Sequence, residues 1–367
     1  MLAFPNTAKA DSVQADSSSF AFLPSFGYNS DLGFAGGITL NRYTYRPSSS
    51  PYASFIDLSA LVSTRGYYNA QISYDRPEVF GTHARSNFEV FGNRTLNANY
   101  FGIGNRTPFS NSLWEDDHYN FESISFGASV RTRHPLKSSD ERRFDVLSLA
   151  GSSYNIPYDN GNNSLIEQQQ PAGFRGGWVN YIGAGLMWDS RDNEIATTRG
   201  NQSRLEVYLM PEILLSDYQM AVIYAETSQF LNLAFLANTI VAMRAGFERS
   251  FGDVPYWQLP YIGGENTIRG YPTARFRGSS AMFYNLELRN WLVADEFFDV
   301  RLGAHVFTDA GRVFNGSNEW DQVLNEHKRT LGFGLALSTF DSDIIFRADY
   351  AFSSDMSRLY IGLGYLF

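Results

Sequence analysis

The 367-residue chain contains no cysteine, which excludes a disulfide framework but fits oxidising and reducing compartments alike. Charge is sparse at 18%, too little for an ordinary soluble surface. Positive charge is in deficit, with a net charge of −9 and a pI near 5.1. That balance argues against nucleic acid, which requires a basic face, and fits acidic, soluble surface loops. Long apolar runs are missing as well. The longest helix-compatible stretches, such as Leu231 to Ala237, fall far short of the roughly 18 residues that a membrane helix needs. The histidines His83, His118, His134, His305 and His327 are scattered without metal-ligand spacing. No Gly-x-Ser-x-Gly elbow occurs, and nothing draws Ser, His and Asp together. Neither a cofactor, a metal nor an enzymatic activity is expected.

What the chain has instead is aromatic residues, 22 Tyr and 30 Phe, at a mean hydropathy of −0.26. It also has alternation, which places one set of side chains on each face of a strand. Leu331, Phe333, Leu335 and Leu337 oppose Thr330, Gly332, Gly334, Ala336 and Ser338. Ile344, Phe346, Ala348 and Tyr350 oppose Asp343, Ile345, Arg347 and Asp349. In the last segment Leu359, Ile361, Leu363, Tyr365 and Phe367 oppose Arg358, Tyr360, Gly362, Gly364 and Leu366. The polar faces are too charged for a protein core and too regular for chance. An aromatic, alternating, mildly polar chain is the signature of a transmembrane barrel, whose lipid-facing and lumen-facing residues average out.

Strands are expected over 20–28, 33–45, 52–64, 66–75, 85–93, 120–133, 143–153, 178–190, 200–212, 218–231, 239–250, 280–293, 298–308, 329–340, 343–352 and 357–367. Their even number suits a single-chain barrel. The fold class is therefore all-β, a 16-stranded antiparallel transmembrane barrel. Residues 1–19 read as a flexible leader or truncated signal region, with Ala8-Lys9-Ala10 in the small-x-small form of a cleavage site. Residues 20–367 form the barrel. The longer connections, 94–119, 154–177, 251–279 and 309–328, fall between odd and even strands, at the end that faces outward in such barrels. Long inner turns around Pro47 to Pro51 and Pro135 to Arg142 are exceptions. Arg131, Arg133, Arg142 and Arg143 cluster by the latter as a solvated rim, and Trp114 to His118 reads as an acidic outer loop.

Arg269 lies in the glycine-rich tract Gly263-Gly264-Glu265-Asn266-Thr267-Ile268-Arg269-Gly270-Tyr271. A guanidinium is always charged and forks to carboxylates. Its candidate acceptors are Asp309 and Glu287, each on the polar face of its strand, Glu287 alongside Asn285 and Arg289. Spacing alone leaves two readings open: a loop locked to the lumen wall, or an exposed arginine with no fixed partner.

These residues resemble the bacterial surface antigen superfamily of outer-membrane barrels, which includes the barrel-assembly insertase, the two-partner secretion transporters and the patatin-like autotransporter. In that superfamily a hydrophobic-Arg-Gly-aromatic loop comes after the eleventh strand, folds into the lumen and contacts a Phe-x-Asp-x-Gly motif on the thirteenth. Ile268, Arg269, Gly270 and Tyr271 match the first motif; Phe307, Asp309 and Gly311 match the second. Asn285, Glu287 and Arg289 are similar to the twelfth-strand pattern, and Trp188 to Asn193 with Gly200 to the turn after the eighth strand. Tyr360, Gly362, Tyr365 and Phe367 resemble the C-terminal signal read by the assembly machinery, since an edge strand can be recognised by strand addition. The resemblance implies a lumenal loop held by Arg269.

It also implies a bacterial outer-membrane location. The expected partners are outer-membrane lipid, the barrel-assembly machinery during insertion, and a second copy or another outer-membrane or periplasmic protein. One departure stands out: residues 1–19 leave no room for the periplasmic transport-associated domains of the secreting members. Two functions are expected from this pattern. One is an accessory in outer-membrane biogenesis or in moving polypeptide or lipid, with a seam between first and last strands that opens. The other is a passive channel or scaffold gated by the loop.

Overall fold

Alternation in the sequence becomes two surfaces of one closed sheet. The computed structural model describes residues 17–46, 52–139, 142–158, 163–194, 196–237, 239–295, 297, 300–316, 325–339 and 344–367. The barrel strands are β1 (Ser17–Asn29), β2 (Gly33–Tyr45), β3 (Ser54–Ser63), β4 (Tyr67–Arg76), β5 (Arg85–Asn99) and β6 (Asn120–Ser139). They continue as β7 (Arg142–Tyr158), β8 (Gly177–Asp189), β9 (Gly200–Met210), β10 (Met220–Leu233) and β11 (Thr239–Gly252). The last five are β12 (Ser280–Asp295), β13 (Val300–Phe314), β14 (Lys328–Thr339), β15 (Ile344–Phe352) and β16 (Ser357–Leu363). Each pairs antiparallel with its neighbours, and β16 returns to β1 to close the barrel. Closure is dictated by the solvent: hydrocarbon offers no hydrogen-bond partner, so edges within the membrane must be paired.

The outer surface carries exposed Phe22, Phe26, Phe34, Ile38, Leu58, Ile72, Leu331 and Leu335, while Asn285, Glu287, Asp309, Arg347 and Asp349 are buried on the inner one. All the expected strands are present, with shifted ends. The region from Pro135 to Arg142, expected as a turn, is mostly ladder: Pro135 pairs with Asp145, and a register shift before Lys137 accommodates the proline. Proline lacks a donor for the ladder, so a bulge is its natural place. Arg131 is accordingly no rim residue; it donates to Glu206 inside the barrel at 2.7 Å. β13 runs to Phe314, so Asp309 and Gly311 belong to the wall, opposite Asn285 and Phe283.

The last strand is shorter than its alternation implies. It stops at Leu363, and Gly364 adopts φ +76°, a left-handed conformation that suits glycine. The turn reverses the facing of the final residues, so Tyr365 and Phe367 do not continue the outward face with Ile361. Tyr365 lies 4.1 Å from the Arg289 guanidinium and edge-on to His305, and Phe367 lies 5.0 Å from the same guanidinium. Ser17–Ser19 belong to β1. Ala8-Lys9-Ala10 and Pro47 to Pro51 lie outside the described residues.

The connection from β11 to β12 packs against inner-face residues of β12 and β13. Its arms pair as a short ribbon, Tyr261 with Arg277 and Ile262 with Phe276. Ile262, Ile268, Tyr271 and Phe276 pack with Ala281 and Phe283 of β12 and Val313 of β13 in one apolar cluster. An apolar cluster thus lies beside the buried charges of the inner wall.

Candidate functional site

Gly263 has φ +109°, and a Cβ there would sit 2.4 Å from the Pro272 carbonyl oxygen. Only glycine lets the two arms of the loop approach so closely. The turn delivers Arg269 to the wall with 0% exposure. Its Nε and Nη2 donate to Asp309 Oδ2 and Oδ1, both at 2.9 Å, and its backbone N–H donates to Oδ2 at 3.0 Å. Nη1 lies 2.7 Å from Glu287 Oε1 and donates to Asp349 Oδ2 at 2.9 Å. The guanidinium carbon stands 3.4 Å from the centre of the Phe307 ring. Arg269 has fixed partners among the described residues. Both expected acceptors are used, and Asp349 is a third that sequence reasoning did not single out.

The acids are shared among further bases. Glu287 Oε2 accepts from Arg289 Nε at 2.7 Å, and Asp349 meets His305 Nε2 at 2.7 Å and Arg347 Nη1 at 3.3 Å. Burying a charge costs several kcal/mol per ion unless partners and geometry compensate. Here a forked guanidinium and three carboxylates supply that compensation. Burial pulls the Arg269 guanidinium down, but Asp309, Glu287 and Asp349 outweigh it and hold its pKa well above the ordinary arginine value. Glycines on the inner face of β14 make room for the cluster. A Cβ at Gly332 would lie 2.2 Å from Phe307 Cζ, and one at Gly334 would lie 2.4 Å from His305 Nε2.

The other motif residues divide between this cluster and its surroundings. Ile268 is buried against Gly311, where a Cβ would stand 3.3 Å from Ile268 Cγ2. Gly270 N–H donates to Tyr360 Oη at 3.1 Å, and Tyr271 Oη lies 2.9 Å from Ser354 Oγ. Asn285 Nδ2 donates to the Thr267 carbonyl at 2.6 Å, and Arg289 Nη2 donates to the Phe367 carbonyl at 3.0 Å. Gly362 stands apart, with nothing within 4 Å of an added Cβ. The Trp188 to Asn193 segment braces its own turn: Arg191 Nη2 pairs with Asp189 at 2.8 Å, and Asp192 accepts from Thr198 and Arg199.

A second set of contacts escaped the sequence reading. Among the described residues, β1 and β16 pair only at Tyr28↔Ile361 and Asn29↔Tyr360, whereas β1 and β2 pair from Ser17↔Tyr45 to Asn29↔Gly33. The loop bonds to both sides of this short seam. Glu265 accepts from Asn29 Nδ2 at 3.1 Å and pairs with Arg347 Nη2 at 2.5 Å. Thr273 donates to Asp31 Oδ2 through its N–H at 3.1 Å and its hydroxyl at 2.9 Å. Asp31 Oδ1 in turn pairs with Arg358 Nη1 of β16 at 2.8 Å. The loop is thus a clasp laid across the joint from inside.

The closed sheet with apolar outside and ionic inside, and the loop bolted to its inner wall, define a sixteen-stranded outer-membrane barrel. The Omp85 superfamily domain matches residues 53–367. The chain therefore belongs to the Omp85 superfamily, as its motifs had suggested. Among solved structures it is similar to BamA from Haemophilus ducreyi lacking POTRA domains 1–3, at 15% identity and a TM-score of 0.65, over 96% of this chain and 71% of that one. It is also similar to CdiB from Escherichia coli, at 12% identity and a TM-score of 0.61, over 94% of this chain and 63% of that one. CdiB from Acinetobacter baumannii is similar at 13% identity and a TM-score of 0.55, over 96% and 60%. The chain spans about three fifths of those CdiB chains. At such identities the likeness is one of fold. No curated protein matches the sequence.

Proposed function

We propose that the barrel is an accessory in outer-membrane biogenesis, moving polypeptide or lipid into or across the membrane through a seam that opens sideways. The carrying observation is the joint itself: among the described residues strand pairing there is confined to Tyr28–Asn29 and Ile361–Tyr360, and side chains of the loop bond beside it. A joint held by a few side-chain bonds can part without unravelling the sheet. On this reading Ile268, Arg269, Gly270, Tyr271, Phe307, Asp309 and Gly311 anchor the clasp. Tyr360 joins it to the last strand, and the segment from Tyr360 to Phe367 is the part the assembly machinery would engage.

The test is a disulfide across the joint. Tyr28 and Ile361 are direct partners, so Tyr28→Cys with Ile361→Cys places two cysteines opposite each other across antiparallel strands, a spacing a disulfide can bridge. Cells carrying the oxidised variant are expected to show the same outer-membrane defect as cells lacking the protein, with recovery on reduction. Full activity of the oxidised form would sink the opening seam. It would leave the loop-gated channel, which a polar cavity of about 330 Å³ inside the wall at Arg131, Tyr181, Arg204, Glu206 and Tyr224 favours. In that case bilayer conductance of the locked barrel should rise on deletion of residues 263–277.

A further inference from the structure

On the lipid side of the same joint the wall is notched. Outward-facing positions of β2 alternate Phe34, Gly36, Ile38 and Leu40, and Gly36 stands between its cross-strand partners Phe26 of β1 and Val62 of β3. A Cβ at Gly36 would meet nothing within 4 Å, whereas Phe26, Phe34 and Val62 project outward and are exposed. The result is an apolar groove of about 670 Å³ that also touches Tyr28, Thr64 and, across the seam, Ile361. Tyr28 and Phe34 close its upper edge with rings 4.9 Å apart, edge to face.

Arg65 follows Thr64 of the groove lining, and its side chain lies beside Gly33, where an added Cβ would come 3.1 Å from Arg65 Cγ. Arg65 is exposed and donates to the Ser30 carbonyl at 2.8 Å, with no carboxylate partner among the described residues. An apolar groove on the outer face, with an exposed arginine next in the chain after its Thr64 edge, has the charge order of one lipid molecule: tail along the wall, anion at the rim. By the usual orientation of barrels, with long loops outward, this is the outer leaflet.

We propose that a lipid with an anionic headgroup occupies this groove, one hydrocarbon chain lying over Gly36 and its phosphate on Arg65. Acyl chains bind by apolar area and headgroups by charge near the surface. A chain seated there touches Tyr28 and Ile361, the pair that forms the joint, so the lipid would brace the seam from outside as the loop does from inside. The binding itself does not depend on the seam opening.

The experiment is mass spectrometry of lipid retained by the full chain, purified from native membranes in mild detergent. The variants are Gly36→Leu, Arg65→Gln and the oxidised Asn29→Cys/Tyr360→Cys barrel, a locked joint whose two paired residues lie outside the groove. Gly92→Leu serves as a control, since Gly92 on β5 is equally open and lies outside the groove. Wild type, the control and the locked barrel are expected to keep a bound anionic lipid. Gly36→Leu should lower retention about tenfold by filling the chain site. Arg65→Gln should abolish the preference for anionic over zwitterionic lipid added back as mixed micelles. Equal retention by Gly36→Leu and wild type, or an unchanged headgroup preference in Arg65→Gln, would overturn the proposal. Loss of lipid from the locked barrel would overturn the statement that binding is independent of opening.

Discussion

Arg269→Ala is expected to lower the stability of the folded barrel by about 3–5 kcal/mol, the usual cost of orphaning a buried charge. Glu287 would keep Arg289, and Asp349 would keep His305 and Arg347. Asp309 would keep nothing of the forked pair that now satisfies both of its oxygens. The loss should appear as a lower temperature for the shift between folded and unfolded gel mobility, and as a lower denaturant midpoint. Arg269→Lys should recover only part of it, because an ammonium cannot fork to two oxygens while reaching a third carboxylate. Adding Asp309→Asn to Arg269→Ala should restore some stability by removing the stranded charge. A barrel as stable as wild type after Arg269→Ala would mean that the lock is ornamental.

The second large effect is expected at a residue with no side chain. Gly332→Val places a branched carbon where Phe307 Cζ would be 2.2 Å away. The ring must then leave the face of Arg269, which it covers at 3.4 Å. Overpacking of this kind costs about 1–3 kcal/mol, and the loss of the ring loosens the cluster further. Trypsin reports the consequence: Arg269, Arg275 and Arg277 are buried and should become cleavable once the loop leaves the lumen. Gly362→Ala, on the same inner side but in open space, should leave both stability and cleavage unchanged. Equal trypsin resistance in Gly332→Val and wild type would contradict the packing described.

Much of this was legible in the sequence because membrane barrels write their two faces in alternation. Leu331 to Leu337 and Ile345 to Asp349 revealed their facing through parity alone. Asp309 and Glu287 could be named as acceptors of Arg269 from face parity and the motif. Asp349 shared that parity, but its nearness to Arg269 depends on the register from β12 through β15, which alternation does not encode. The clasp was beyond reach for the same reason: Asp31 and Arg358 are partners only once the sheet has closed. Tyr365 and Phe367 misled because the alternation continues through Gly364, whereas the chain turns there. Parity survives a left-handed glycine in sequence but not in space.

The central claim, that the lumenal loop holds shut a joint whose strand pairing is short, is tested most directly by hydrogen–deuterium exchange. The reporters are the N–H groups of Ser30 and Leu359, which bond across the seam at 3.1 and 2.9 Å. In Glu265→Ala with Thr273→Val, which removes side-chain contacts from the loop to Asn29 of β1 and to Asp31 in the turn after it, these amides should exchange markedly faster while the β13–β14 ladder stays protected. Unchanged rates at Ser30 and Leu359 would show that the strands hold themselves together and that the loop is not the clasp.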